Sequence, residues 1–349
     1  MSEKVSLDWG MHAMPIEGCP FELARCSCLH AALVARDVLI DEDTLERFAA
    51  QLDVVTLQDI FNRPMGENCD TVPGDFPNGR DAANFALLFS LLQFGHGFRY
   101  ELHRLCGRGA SRTITSGARA LHVTGDLSAA RLSRLTKTEV QHSFRLPSDP
   151  ALEMFAQQLH AVAHQAGTVL ERLGLEDFAS FCRQVLRTSE ETCEPASTMI
   201  RQLVNHFPAF NDQATLYDGS RVLLLKKATL AIGELRRLAA THDRVYDFQD
   251  LHRAIAPVDN VIPAMLVFQG VLRLSPALYH LIQEQRAPLP RGPQEAELRA
   301  VALAACERIA AAAGGAFSPL DLGYYLWLSG KEEKARQFVR HHTKDTVFY

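Results

Sequence analysis

The chain has 349 residues, 47% of them hydrophobic and 22% charged, with a formal net charge of −5 at pH 7. These values describe an ordinary globular protein with a sizeable core, folded as one large domain or two closely joined lobes. They exclude a basic field able to grip a phosphate backbone, so nucleic acid is not expected as a direct partner.

The opening "MSEKVSLDWGMHAMPIEGCP" has acidic residues early and no apolar core segment, so no signal peptide is expected. Cys26-Ser-Cys28-Leu-His30 invites a metal reading, but the spacing fits no common zinc pattern and no second Cys/His pair sits nearby. Eight cysteines in so long a chain do not suggest a disulfide framework, and reduced thiols without metal or cofactor are expected. Residues 76–103, "FPNGRDAANFALLFSLLQFGHGFRYELH", run from a turn through a dense apolar core into Gly, His, Arg and Glu. The apolar run from Ala83 to Phe94 is broken by polar residues and too short to cross a bilayer. A soluble, cytoplasmic protein without membrane contact is the default reading.

Farther along, "RTITSGARALHVTG" (112–125) is rich in β-branched residues and has room for one or two short strands. Apolar residues at 152, 155, 156, 159, 162, 163, 166, 170 and 173 then form one face of a long helix. Asp149 and Pro150 stand at its expected start and Gly174 at its stop. "SRVLLLKKATL" suits strand or helix equally, Ser275 and Ser318 each precede proline at a helix start, and 293–313 reads as a strong helix. Loops are expected at 64–80, 106–118, 188–196, 286–293 and 313–318. The fold class is therefore mainly α, with little or no strand. The expected division is an N-terminal extension over 1–30 and a helical domain over 31–349, its lobes at approximately 31–147 and 148–349.

Six segments in order resemble the queuosine salvage proteins: "ARDVLIDEDTLERFA" (35–49), "DAANFALLF" (81–89), "VNHFPAFNDQATLYDGSRVLLLKKATLAIGEL" (204–235), "FQDLHRAIAPVDNVIPAMLVFQGVLRLSPAL" (248–278), "YYLW" (324–327) and the final "HHTKDTVFY". The resemblance implies a helical body like that of helical DNA glycosylases. It also implies a metal-independent activity on a small nucleotide: hydrolysis of the N-glycosidic bond of queuosine 5′-monophosphate, freeing queuine for tRNA modification. A non-catalytic relative that binds a nucleotide or base is the alternative. The oligomeric state is left open.

Cleaving a C1′–N bond builds positive charge on the ribose, which asks for a facing carboxylate, a proton donor for the base and cations for the phosphate. Asp259 in "PVDNVIP" matches the family acid; capping of the next helix by Asp259 or Asn260 is its structural alternative. The family carries a second Asp directly before Tyr-Tyr-Leu-Trp, where this chain has Gly323. Asp321, two residues earlier, is the nearest substitute, but Ser318-Pro-Leu-Asp321 has the spacing of a capping box. Lys226 and Lys227 match the family's basic pair, and about 100° of helical turn sends one toward phosphate and the other toward water. Asn84 needs a polar partner inside its apolar helix, and Phe85 stacks on a base or packs in the core. His96 and Arg99 are candidates for phosphate or base, Asn260 and His342 for substrate contact, and Tyr324 with Trp327 for an aromatic base pocket.

Overall fold

A computed structural model describes residues 14–58, 76–189, 193–240 and 242–349. Among them are seventeen α-helices and four strands of three residues each, a mainly α architecture as expected. The strands form two antiparallel pairs: Val38–Ile40 with Leu272–Leu274, and Gln213–Thr215 with Arg221–Leu223. Most of the loop expected at 64–80, and part of the one at 188–196, lie outside the described residues.

At the centre is the Gly79–Leu91 helix. Asn78 caps its start by accepting the Asp81 amide at 2.9 Å, and every residue from Ala82 to Leu91 is buried. Full burial of each large apolar side chain there contributes about 2 kcal/mol. Such a helix, apolar on all sides, must be surrounded. The Lys226–Ala239 helix packs along one flank and the Phe178–Ser189 helix along another.

The long amphipathic helix runs from Pro150 to Arg172, with Asp149 accepting the Ala151 amide at 2.9 Å and Gly174 in the left-handed region at φ +68°. All of the stripe is buried except Leu173, which is partly buried. Helices also begin at Pro276 and Pro319 behind the capping serines, and another spans Pro293–Ala312. The ambiguous 220–230 stretch is both things in turn: the strand Arg221–Leu223, then a helix from Lys226.

Residues 112–124 depart from expectation: they belong to the helix Ala110–Thr124, which also takes most of the loop expected at 106–118. The hydroxyls of Thr113, Thr115, Ser116 and Thr124 bond back to the carbonyls of Gly109, Ser111, Arg112 and Ala120. That back-bonding satisfies the side chains inside a helix and overrides their β-propensity. Helix Pro20–Val34 starts inside the stretch read as an extension and packs on Pro293–Ala312, burying Phe21, Ala24 and Cys28. The Cys28 thiol donates to the Leu223 carbonyl at 3.6 Å, while Cys26 is exposed.

Candidate functional site

Three chain segments converge behind the Gly79–Leu91 helix. The first is the start of the Lys226–Ala239 helix. Both lysines point inward, which corrects the expectation that one meets water. Lys227 Nζ donates to the Leu91 carbonyl at 2.6 Å and Lys226 Nζ to the Gln93 carbonyl at 2.9 Å. Two cations thus sit against the carbonyl end of the central helix, where the backbone has orphan acceptors and a partial negative charge. Burial brings the Lys226 ammonium down to about 8, against the opposing pull of Asp259, and pushes Lys227 well below its ordinary value.

The second segment carries Asp259. Its Oδ1 accepts the amides of Val261 at 2.7 Å and Ile262 at 3.4 Å, so the carboxylate does cap the Val261–Phe268 helix. Among the described residues nothing donates to its Oδ2, and the side chain keeps partial solvent access. A cap and a reactive carboxylate are compatible here because they use different oxygens. Asn260 is buried and donates to the His341 carbonyl at 3.0 Å, a bond that ties this segment to the third.

That third segment is 340–349. Arg340 Nη2 donates to the Gly330 carbonyl, and its Nε is buried without a partner among the described residues. Burial and the neighbouring charge of Arg99 lower Arg340 to about 10, while Asp259 pulls the other way. Asp259 therefore lies within electrostatic reach of two cations, Lys226 and Arg340. Arg99 has no acidic partner among the described residues; Glu101 pairs instead with Lys344 at 2.5 Å.

Other expected site residues go elsewhere. His96 stacks on the Tyr349 ring with centroids 4.3 Å apart, its Nδ1 against the Tyr349 carbonyl at 2.9 Å and its Nε2 accepting the Thr343 amide at 3.3 Å. Burial drives its pKa well down, so a neutral ring with both nitrogens engaged is left no hand for phosphate. Asn84 bridges Asp177 (2.9 Å) and the Ala179 amide (2.7 Å), locking the start of the Phe178–Ser189 helix. It lines a cavity of about 420 Å³ with Arg80, His122 and Glu176, apart from Asp259. Phe85 is fully buried and packs on Phe76, Phe89 and His122, which places it in the core. His342 faces Tyr100, and it is His341, brought to about 3 by burial, that lies near Arg299 and Tyr349.

On the Pro319–Ser329 helix, Asp321 completes the capping box: its Oδ2 accepts the Ser318 amide at 2.9 Å and hydroxyl at 2.7 Å. Burial pushes its carboxyl up, and of the charges around it Arg236 is the one that acts against that rise. Gly323 is a point of close approach to the Asp259 segment, for a Cβ there would lie 2.7 Å from Pro257 Cδ. No second carboxylate fits at 323 without moving that segment. Trp327 lies about 40° round the helix from Gly323, on the side that faces 256–261, and Lys331 sits 3.6 Å over its ring. Tyr324 is on a different face, buried, with its hydroxyl 3.4 Å from Glu234.

The pattern of the chain gave no reason to single out Arg340 or Tyr349. Arg299 had a legible signal: a charged residue inside the apolar run Ala296–Ala305 must have a buried partner. Among the described residues no group of His, Cys, Asp and Glu is arranged to hold a metal, and no helix is long and apolar enough to cross a membrane.

Among proteins of known name, the chain is 28% identical over 226 residues to the queuosine 5′-phosphate N-glycosylase/hydrolase of Sphaerobacter thermophilus, covering 63% of this chain and 65% of that protein. It is 23% identical over 236 residues to the protein of the same name from Bos taurus, covering 64% and 66%. The Nematostella vectensis protein of that name is 25% identical over 268 residues, covering 70% and 71%. The match thus spans just under two thirds of the first two relatives. Residues 115–349, more than half of the chain and including all three converging segments, match the queuosine salvage protein family, and the chain belongs to it.

Proposed function

We propose that this protein hydrolyses the N-glycosidic bond of queuosine 5′-monophosphate, with the Asp259 carboxylate facing C1′. The observation that carries the reading is the Asp259 side chain: one oxygen is fixed by the helix it caps, the other has no donor among the described residues, and Lys226 and Arg340 lie within its electrostatic reach. In the reaction the C1′–N bond breaks as positive charge grows on the ribose, and the carboxylate stabilises that charge. Water adds its oxygen to C1′ and loses a proton, while the departing base gains one. Lys226, with its amine near 8, is the proton donor best matched to neutral pH. Arg340, with its orphan Nε, and the neighbouring Arg99 are suited to the 5′-phosphate.

The test is release of free queuine from the nucleotide by wild type and by Arg340→Met. The reading expects release by wild type, and a KM raised about tenfold or more in the variant. A second reading, a binding protein without catalysis, is favoured by Gly323, where the resemblance expects an acid and the packing on Pro257 leaves no room for one. Tight binding of the nucleotide by wild type with no release of base would decide for it.

A further inference from the structure

We infer that Arg299 is a positioning residue that fixes the separation of Asp259 and Lys226 by clamping both of their chain segments at once; the inference rests on the functional reading above. Arg299 projects from the Pro293–Ala312 helix and is 1% exposed. On one side its Nε and Nη2 donate to the carbonyl of Val258, the residue before Asp259, at 3.2 and 3.0 Å. On the other side Nη2 and Nη1 donate to the two carboxylate oxygens of Asp212 at 2.5 and 3.4 Å.

Asp212 continues the link. Its backbone carbonyl accepts the amides of Leu224 at 2.9 Å and Leu225 at 3.5 Å, and Leu225 immediately precedes Lys226. Leu225 has φ +49°, a left-handed conformation that a non-glycine residue keeps only when its surroundings impose it. The chain is therefore held at the turn that aims Lys226. Nη1 also reaches Glu295 at 3.4 Å, and the Tyr349 ring lies 3.9 Å from the guanidinium, with His96 stacked on its far face. The donors of Arg299 make five bonds in all, so its planar fork is fully committed.

Burial works against the charge, yet Asp212 and Glu295 outweigh it and the pKa of Arg299 is raised. The charge is thus permanent, and the fork geometry matters as much as the charge. Lysine carries the same charge but cannot span a carbonyl and a bidentate carboxylate together.

The experiment compares wild type, Arg299→Lys and Asp212→Asn. Arg299→Lys is expected to lower kcat about tenfold or more while KM for the nucleotide changes less than about threefold, since binding groups stay and their alignment is lost. Its crystal structure is expected to show the Asp259 and Lys226 side chains displaced relative to each other. A folded Arg299→Lys protein whose two side chains superpose on wild type overturns the inference, whatever the activity. So does a kcat that falls only in proportion to the folded fraction. Should Arg299→Lys fail to fold, Asp212→Asn keeps the shape while weakening the clamp. It must show the same displacement, and wild-type site geometry in that variant overturns the inference as well. Wild type releasing no base sinks the functional reading instead, and the displacement is measured independently of it.

Discussion

Two clusters of buried charge lie eight residues apart along the Lys226–Ala239 helix, and they are finished differently. At one, Glu234 is wholly buried and takes Arg237 at 2.5 Å and the Tyr324 hydroxyl at 3.4 Å. These partners come from the same helix and its neighbour, and they complete one another. At the other, Arg299 is likewise saturated, but neighbouring groups are not: among the described residues Asp259 keeps an oxygen without a donor and Arg340 an orphan Nε. A buried charge with all its valences met is explained by packing, whereas unmet valences beside a cation pair call for a ligand. The Gly323 face of the Pro319–Ser329 helix touches the second cluster and the Tyr324 face the first, so one helix serves both.

The contrast yields four expectations. Asp259→Asn should cut the rate of base release by about a hundredfold or more, measured on folded protein, because it removes the charge proposed to face C1′. It should scarcely change the melting temperature, since asparagine caps a helix as well as aspartate. An unaltered rate would move catalysis away from this cluster. Glu234→Gln should do the opposite: about 3 kcal/mol of stability lost in a denaturant titration, with kcat per folded molecule unchanged. Loss of kcat there would erase the distinction between the clusters.

Lys226 gives a pH signature. Its amine stands at about 8 in the fold against an ordinary 10.5, so the folded state binds its proton less tightly than the unfolded chain. Burying it costs stability below pH 8, and stability rises as pH climbs from about 8 toward 10.5. Lys227, also lowered, acts in the same direction. As the proton donor, Lys226 should make kcat fall as pH passes about 8, and Lys226→Met should remove that limb from an already reduced profile. A profile flat to pH 10 would leave Lys226 only a structural part. The smallest effect is expected from Asp321→Ala, which loses the capping box for about 1 kcal/mol and leaves kcat intact.

Much of the fold was legible in local pattern. The amphipathic stripe from Leu152, the Asp149-Pro150 start and the Ser318 box depend on neighbours within two turns, and the structure keeps all three. The helix at 110–124 was misread because hydroxyl back-bonding cancels a propensity that composition alone reports. The site was harder. Asp259 and Lys226 stood out by resemblance, yet so did Asn84, Phe85, Tyr324 and His342, which the fold directs to a helix cap, the core, Glu234 and Tyr100.

The sequence by itself determined the helical class and the main helix boundaries, because each is encoded by residue type and short spacing, while Asp259 and Lys226, the two residues proposed to lead the site, were singled out by resemblance. Only the tertiary structure decided which polar groups meet: Arg299, Arg340 and Tyr349 come from chain positions 40 to more than 120 residues from Asp259 or Lys226. Long-range pairing of that kind is set by how helices stack, and no local periodicity carries it.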